Sequence, residues 1–425
     1  MLPPNPLLSL LIATKNRIPF CISAIKSILG SNDTNFELII QDNSDTKELG
    51  SYIDRNILDN RLIYNYTPPP FSSIDNFNSV ISLANGEYVC LIGDDDGINP
   101  EIFKIVRWAY LNKIEAIVPE LNAFYWWPDA CRILKDFKEY NGFLRISKFT
   151  GSVSQFYTSS EVNKLMKNGG QNYLLFNLPK LYHGIVKKEY LNKIEAITGN
   201  FIGGLSPDIY ISVALTAHID RIIKIDYPLT IPGICSLSTS ADSGSGKHSG
   251  ELESAPHFRD RGVYSWSEQV PKFYSVETIW ADSAIASLRD LKRFKLMSTF
   301  NIATLTVSCL KKHKEYSKVI LNNYYENKNS SNRIKKAYCL ILLIIKYLEL
   351  KLVNILSRVV RKFTTKIFGI IKFSRTESIG QASLSNIENI CQASEELSKY
   401  LSENSLSVDV IIEKLDLMLG NSVRK

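Results

Sequence analysis

Short apolar runs alternate with amphipathic stretches along the first half of the chain, and this pattern predicts an α/β fold. The predicted strands cover residues 8–14, 36–41, 62–66, 88–92, 116–118, 182–187 and 221–225. The predicted helices cover residues 19–29, 73–84, 101–111 and 206–218. Strands that alternate with helices are typical of a Rossmann-like, mainly parallel sheet with helices on its faces.

The second half of the chain has a different pattern. From residue 275 onward, apolar positions recur at helical spacing to the C-terminus. A chain of 425 residues also exceeds the usual size of one hydrophobic core. We therefore expect two units, an α/β domain over residues 1–270 and an α-helical C-terminal region over residues 271–425.

The formal net charge is +7, and the positive charge is concentrated in one segment. Residues 333–375 contain eleven Lys or Arg and a single acid, Glu349. Apolar residues are interspersed at roughly helical spacing, which is typical of helices that lie in a membrane interface. This basic amphipathic segment predicts contact with an anionic membrane surface, and a packed helical subdomain with a basic outer face is an equal alternative. No recognisable nucleic-acid-binding motif accompanies the charge, so nucleic acid is not an expected partner.

The cysteines and the hydropathy predict a cytoplasmic protein. The seven cysteines are scattered and never form a C-x-x-C pair, which indicates neither a disulfide framework nor a zinc site. The apolar stretch near the N-terminus is short and has no cationic leader, unlike a signal peptide. The longest uncharged apolar run near the C-terminus, residues 337–345, is shorter than the ~20 residues that cross a bilayer.

Three consecutive acids, Asp94, Asp95 and Asp96, follow the apolar run 88–92. Adjacent carboxylates repel one another unless a cation neutralises them. Their hard oxygen atoms suit Mg²⁺ or Mn²⁺, which also bind substrate phosphates. A solvated acidic turn is the alternative. The position at a strand end favours a ligand site, because ligands of open α/β sheets bind at the carboxyl ends of the strands.

Four separated motifs resemble those of the family 2 glycosyltransferases of the GT-A fold, which are typically inverting and use nucleotide sugars. The motifs are LLSLLIATKNR, FELIIQDNSD, ANGEYVCLIGDDDGINP and GGLSPDIYISVALTA, and the resemblance covers roughly residues 7–233. It implies a nucleotide-sugar site formed by Thr14, Asn16, Arg17, Asp42 and Asp94. It also implies a site for Mn²⁺ or Mg²⁺ at Asp95 and Asp96, and a catalytic base at Asp208.

Two motifs depart from the family pattern. Gly93 stands where the family usually has the first acid of its metal motif, and the spacing back from Pro100 favours Asp95 as the principal metal ligand. A Ser-Pro pair precedes Asp208 where the family often has Glu-Asp. Without the resemblance, Asp208 would be interpreted as a helix-start acid that the helix dipole stabilises by ~0.3–1 kcal/mol.

Five further residues are candidates for the acceptor site or for a lid. His183 lies in a strand-like run and could face the acceptor; a hydrogen-bonded core histidine is an equal interpretation. The other four residues lie in or beside a Ser/Gly-rich stretch at 237–250, and flexible basic loops often act as lids. They are His248, His257, Arg259 and Arg261.

The resemblance implies a function. We expect a bacterial enzyme that moves a sugar from a nucleotide-sugar donor to a hydroxyl of a glycan acceptor, with inversion. The acceptor would be lipid-linked, the product a surface polysaccharide such as O-antigen or capsule, and the basic segment would lie on the cytoplasmic face of the inner membrane. The alternatives are a non-catalytic glycan-binding or scaffold subunit with the same fold, or a nucleotidyltransferase.

Overall fold

The computed structural model describes residues 6–130, 141–237, 249–252, 255–330, 332–370 and 380–422. Its centre is an eight-stranded sheet in the order β3-β2-β1-β4-β10-β6-β11-β9. These strands are β1 (Leu8–Thr14), β2 (Phe36–Asp42), β3 (Leu62–Tyr66), β4 (Tyr88–Ile92), β6 (Ala116–Pro119), β9 (Val153–Tyr157), β10 (Ile185–Lys187) and β11 (Arg221–Ile225). The first four strands are parallel to one another. β10 is antiparallel to both of its neighbours, β4 and β6. The mainly parallel α/β fold class is therefore confirmed.

Smaller sheets complete the β-structure. β5 (Gly97–Ile98) pairs with β12 (Thr230–Ile231), and β14 (Ser249–Gly250) pairs with β15 (Tyr274–Ser275). A four-stranded sheet contains β13 (Gly233–Ile234), β7 (Ala123–Trp126), β8 (Phe143–Phe149) and β16 (Gly380–Leu384), in that order. Because β16 pairs with β8, the C-terminal region contributes a strand to the α/β part of the molecule.

The helices of the first part lie between the strands. They are α1 (Ile18–Leu29), α2 (Glu48–Asn56), α3 (Ser73–Ser82), α4 (Ile102–Leu111), α5 (Thr158–Lys167), α6 (Lys188–Thr198) and α7 (Pro207–Leu215). All residues of β1 except one, and all residues of β2 and β4, are buried. Helices on both faces of the sheet explain why these strands are nearly continuous apolar runs rather than alternating ones.

The C-terminal region is mainly helical, as predicted. Its helices are α8 (Val276–Asp290), α9 (Phe294–Met297), α10 (Ile302–Lys312), α11 (Ser317–Asn327), α12 (Arg333–Ile370), α13 (Ile390–Glu403) and α14 (Val408–Ser422). Short 3₁₀ turns lie at Tyr173–Leu175, Pro256–Phe258 and Lys314–Tyr316. No helix within the described ranges combines the length and the low charge that crossing a bilayer requires.

Contacts cross the predicted boundary at residue 270. Leu397 and Leu401 of α13 and Leu415 of α14 belong to the same hydrophobic cluster as β1 and β2. The indole of Trp108 donates a 2.7 Å hydrogen bond to Asp416, and Tyr125 donates one of 3.0 Å to the carbonyl of Ile387. The division into domains 1–270 and 271–425 stays a prediction, and the last two helices pack on the first unit.

One strand is shorter than its apolar pattern predicts. The expected strand 182–187 is reduced to β10, because His183 has a left-handed backbone with φ of 57°. Only an isolated bridge joins Tyr182 to Leu91 of β4. Left-handed backbone is unfavourable for a residue with a side chain, so the surrounding packing must stabilise it. The resulting turn points this segment toward the acid turn at residues 94–96.

Candidate active site

Three parallel strands end at the candidate active site. β1 ends at Thr14 and β2 at Asp42, and these two residues are neighbours in the strand register. β4 ends at Ile92, two residues before Asp94. The side chains of Thr14, Asp42 and Asp94 are all buried at this edge of the sheet. The first three motifs of the sequence therefore meet at one place, where an open α/β sheet binds its ligands.

Arg17 forms ion pairs with two of the three acids. Its Nη1 lies 2.8 Å from Oδ1 of Asp94, and its Nη2 lies 2.7 Å from Oδ2 of Asp95. Thr14 Oγ1 donates a 2.6 Å hydrogen bond to the other oxygen of Asp94. A planar guanidinium suits such a pair of carboxylates better than an ammonium does. The same nitrogen, Nη2, also lies 2.9 Å from the sulfur of Cys235.

Asp96 has a separate set of partners. The backbone amides of Gly93 and Gly233 each donate a 2.6 Å hydrogen bond, one to each of its carboxylate oxygens. Tyr182 donates a third, of 3.0 Å, and Nε2 of His183 lies 3.3 Å away. Both oxygens of Asp96 are thus engaged by protein groups. Its expected role as a metal ligand stays a prediction.

The three acids differ in their electrostatic environment. Burial raises the pKa of Asp94 and of Asp95, and the Arg17 charge limits the rise. Burial acts in the same direction on Asp96, but the charge and hydrogen bond of His183 and the two amides outweigh it and lower its pKa. Hydrogen bonds from backbone amides stabilise the ionised carboxylate more than the protonated acid. Asp96 is therefore the acid held most firmly in its charged form.

A hard cation would find suitable donor atoms at Asp95. Its Oδ2 is buried and lies 2.7 Å from Nη2 of Arg17, so a cation at this oxygen would have to displace the guanidinium or share the oxygen with it. Asp94 contributes further hard oxygen atoms, of the kind that Mg²⁺ and Mn²⁺ prefer. Within the described residues, no cluster of three or more His, Cys, Asp or Glu has the arrangement of a metal site. The protein groups alone do not complete a coordination shell, and donor phosphates would have to supply further oxygens.

Asp208 lies in the first turn of α7, directly after Pro207. Burial raises its pKa, whereas the His183 charge and a hydrogen bond from Tyr173 oppose the rise. A cavity of about 50 Å³ lies beside it, and its lining includes Tyr173, Lys180, Tyr182 and His183. His183 and Tyr182 contact Asp96 on one side and line this cavity on the other. They therefore connect the acid turn to Asp208.

Two predicted nucleotide-binding residues have structural partners. Asp42 accepts 2.8 Å hydrogen bonds from the hydroxyl of Tyr64 and from the backbone amide of Ser44. The amide group of Asn16 exchanges two 2.9 Å hydrogen bonds with Asp45, which ties the loop after β1 to the loop after β2. Both residues shape the edge of the site, and their contact with a nucleotide stays a prediction.

The lid residues are spread over different surroundings. Arg261 donates hydrogen bonds to the backbone carbonyls of Gly203 and Gly204, in the segment that leads to α7. The ring of His257 packs 5.5 Å from that of Tyr274, and Arg259 is exposed. His248 lies outside the described residues. In this structure Arg261 supports the segment before Asp208 instead of projecting freely from a loop.

Several residues at the site carry no sequence motif. Tyr182 and Cys235 lie outside the regular helices and strands, Tyr173 begins a short 3₁₀ turn, and only their tertiary contacts bring them to the acids. Gly233 is the one position with an identifiable requirement. A Cβ atom there would lie 1.9 Å from the carbonyl oxygen of Asp95, so only glycine lets the two backbones approach.

Comparison with known proteins relates the chain to one family. Residues 9–159 match the model of "Glycosyl transferase family 2". The "Putative colanic acid biosynthesis glycosyl transferase WcaA" of Escherichia coli (strain K12) is 37% identical over 98 residues, which are 23% of this chain and 35% of the relative. The chain thus spans about a third of the length of this curated relative.

Two solved structures resemble this chain weakly over most of its length. S. aureus TarS 1-349 in complex with UDP-GlcNAc is 10% identical, with a TM-score of 0.47, over 80% of this chain and 89% of that chain. The mannosyltransferase PcManGT from Pyrobaculum calidifontis, in complex with GDP-Man and Mn²⁺, is 12% identical, with a TM-score of 0.36, over 81% and 87%. At these scores no residue role is transferred from either structure.

Proposed function

We propose that the protein transfers a sugar from a nucleotide-sugar donor to a hydroxyl of a glycan acceptor, and the match of residues 9–159 to the model of glycosyl transferase family 2 supports this proposal. One observation carries the proposal. The acid turn with its Arg17 counter-charge and the partly buried Asp208 lie on two sides of Tyr182 and His183. A transferase needs a charged site for the leaving diphosphate and a base for the incoming hydroxyl, and this arrangement supplies both.

The donor half of the site binds and orients the nucleotide diphosphate. Breaking the bond between sugar and diphosphate builds negative charge on the leaving phosphate, which a fixed guanidinium stabilises. Arg17 is held by two carboxylates and is therefore already positioned. The fixed amide and hydroxyl contacts of Asp96 and Asp94 keep the turn in place while charge moves from the donor bond to the phosphate.

A divalent metal would be held by Asp95, with Asp96 beside it, and would act as a Lewis acid toward the diphosphate when bound. The hard carboxylate oxygens of Asp95, buried next to those of Asp94, support this assignment, and a metal at Oδ2 of Asp95 would have to displace the Arg17 nitrogen that lies 2.7 Å away. We propose Mn²⁺ or Mg²⁺ as the cofactor.

On the side of the site where the acceptor sugar would bind, a carboxylate is needed to take up a proton. We assign to Asp208 the role of a general base that takes the proton of the acceptor hydroxyl as the oxygen attacks the sugar. A positioned carboxylate of this kind contributes ~10²- to 10⁴-fold in rate, and a raised pKa makes it a stronger base. Attack from the side opposite the leaving diphosphate would invert the configuration of the sugar. His183 and Tyr173 hold the Asp208 environment in place.

The biological setting is proposed from the curated relative, whose printed description names colanic acid biosynthesis. We infer that the acceptor is a lipid-linked glycan of a bacterial surface polysaccharide, such as O-antigen or capsule. The enzyme would work in the cytoplasm, at the inner face of the inner membrane. The basic amphipathic segment 333–375 supports such a peripheral location.

The test starts from donor binding. A thermal-shift screen of UDP-, GDP-, CDP- and dTDP-sugars with Mn²⁺ identifies the donor, because a ligand of the folded state raises the apparent stability with its concentration. Release of the nucleoside diphosphate is then measured for Asp208→Asn, with the exposed Asp220→Asn as a matched control. We expect kcat to fall at least about 100-fold for Asp208→Asn alone, with donor binding retained. A chain that binds no donor, or that keeps its full activity without Asp208, contradicts the proposal.

A further inference from the structure

The long helix α12 packs on the body of the protein with only one face. Cys339 and Leu343 are buried and Leu350 is half-buried, at separations of four and seven residues. They form a hydrophobic cluster with Val307 of α10 and Tyr324 of α11. Side chains at these separations lie on the same side of a helix. The face that α12 turns toward the protein is thus narrow and well defined.

A continuous apolar stripe lies on the outer face of the same helix. Its residues are separated alternately by four and three positions, and each is between 54% and 82% exposed: Ile334, Tyr338, Ile341, Ile345, Leu348 and Leu352. The same spacing continues to Ile355, which is 47% exposed. Monomeric soluble proteins rarely expose so long an apolar patch, and such patches mark interaction surfaces. We call this set the α12 stripe.

Cationic side chains border the α12 stripe on both sides. At 100° per residue, Arg333 and Lys351 project about 100° to one side of Ile334, and Lys335 projects about 100° to the other. No ion pair engages these three residues within the described part of the chain. From residue 333 to 370, nine Lys or Arg accompany a single acid, Glu349. An apolar centre with cationic borders is the pattern of a helix that lies in a membrane interface.

A groove opens beside the stripe, between α10 and α12. Its cavity of about 600 Å³ is lined by Lys311, Lys312 and Lys351 together with apolar side chains such as Val353 and Ile355. At its other end the groove reaches Gln171 and Asn172, next to Tyr173. Tyr173 hydrogen-bonds to Asp208. A cationic and apolar groove therefore lies between the α12 stripe and the segment that precedes Tyr173.

We propose that the α12 stripe and the α10–α12 groove dock the protein on an anionic phospholipid bilayer. The helix lies in the plane of the membrane, the stripe enters the boundary of the acyl chains, and Lys311 and Lys351 of the groove bind lipid phosphates, whereas Lys312 is paired with Glu277. Charge decides between this partner and a second copy of the chain. Two paired α12 helices would bring together eighteen cationic residues and two acids, whereas an anionic leaflet attracts each of the cations.

Docking has a consequence for the acceptor, and this step rests on the proposed function. A lipid-linked glycan carries its phosphate at the membrane surface and its sugar away from it. With α12 on the leaflet, the groove offers lysines to the phosphate, and the polar side chains of Gln171 and Asn172, which also line the groove, are available to the sugar. The docking itself does not depend on glycosyl transfer.

The experiment measures co-sedimentation of the full chain with vesicles of phosphatidylethanolamine and phosphatidylglycerol, and with vesicles of phosphatidylcholine alone. We expect binding to the anionic vesicles that weakens as salt is added. Two variants test the surface, Ile341→Ser/Leu348→Ser for the stripe and Lys311→Gln/Lys351→Gln for the groove. Each should weaken binding by about tenfold or more, because each basic residue near an anionic surface and each buried methylene group contributes on the order of 1 kcal/mol.

Matched control variants replace the same kinds of side chain, apolar or cationic, at positions away from the α12 stripe and the groove. Leu58→Ser/Val263→Ser removes two apolar side chains that are fully exposed, and Lys272→Gln/Lys399→Gln removes two exposed charges. Both controls should bind as the native chain does. Equal binding to both vesicle types, or equal binding of test and control variants, overturns the proposal. So does light scattering that shows a dimer which only the stripe variant dissociates.

The two proposals fail separately. If vesicle binding is absent while donor turnover and its dependence on Asp208 persist, only the docking surface is wrong. If the chain docks as expected but binds no nucleotide sugar, the docking stands and the proposed function does not.

Discussion

The guanidinium of Arg17 lies 2.7 Å from Asp95, whose carboxylate would otherwise be a buried charge without any hydrogen bond to Oδ2. This contact offsets the cost of burying adjacent carboxylates when no ligand is bound. It also holds a positive charge at the place where the proposed leaving diphosphate would develop negative charge. Removing Arg17 should therefore affect stability and donor binding together.

Arg17→Gln leaves Asp94 and Asp95 buried without a counter-charge. Breaking a fully buried pair destabilises by about 3–5 kcal/mol; because Arg17 is 20% exposed, we expect about 2 kcal/mol, measured by urea unfolding. Adding Asp95→Asn to Arg17→Gln should restore part of the loss, since the uncompensated charge is then gone. Arg55→Gln, on the exposed surface of α2, is the control. Additive effects in this double-mutant cycle would show that Arg17 and Asp95 do not interact.

Tyr173→Phe tests the environment of Asp208. The Tyr173 hydroxyl opposes the effect of burial and lowers the pKa of Asp208. Without it, the pKa rises further, and the base is protonated at a higher pH. We expect the acidic limb of the kcat/KM profile to move to higher pH, with little change of the plateau above it. Tyr157→Phe, at an exposed position, should leave the profile unmoved. A decrease of kcat/KM by the same factor at every pH would show that Tyr173 has a structural role only.

Gly233→Ala tests the close approach of β13 to the acid turn. The added Cβ would lie 1.9 Å from the carbonyl oxygen of Asp95, so the turn or the strand must shift. Overpacking of this kind typically destabilises by about 1–3 kcal/mol. The shift also lengthens the 2.6 Å hydrogen bond from the Gly233 amide to Asp96, and donor affinity should fall. Gly262→Ala, where no atom lies within 4 Å, is the control. Unchanged unfolding and donor affinity in Gly233→Ala would contradict the geometry.

Glu277 predicts a dependence of stability on pH. Burial acts to raise its pKa, but hydrogen bonds from Lys312 and His313 outweigh it and lower the pKa below its ordinary value of 4.5. The ionised form is thus favoured in the folded state. Its stabilisation is complete above pH 4.5 and is lost as the pH falls through the lower folded-state value.

The matching variant is Glu277→Gln. At pH 7 it should lower the free energy of unfolding by about 1–3 kcal/mol, because Lys312 and His313 lose a buried, ionised acceptor. The difference from the native chain should shrink as the pH falls below 4.5. Glu315→Gln is the control, since this side chain is exposed and contacts His313 only at 3.9 Å. If the difference in unfolding free energy between Glu277→Gln and the native chain stays constant with pH, the ionisation of Glu277 does not contribute to stability.

Local pattern was sufficient for most of the strands and helices of the first half. The apolar runs that form β1, β2 and β4 are buried on both faces, so their composition alone identifies them. The pattern failed at residues 182–187, where an apolar run contains the left-handed turn at His183. Periodicity reports which residues favour a strand, but it does not report a backbone turn that distant packing imposes.

The sequence by itself determined that three acids, Arg17 and Thr14 would meet, because they follow strands whose carboxyl ends share one edge of a parallel sheet. Only the tertiary structure decided their partners. It places Arg17 between Asp94 and Asp95, and engages both oxygens of Asp96 with backbone amides. It also returns α13 and α14 to the first core and leaves the α12 stripe exposed. The physical reason is that local periodicity selects helices and strands, whereas contacts between residues far apart in the chain depend on how those elements pack.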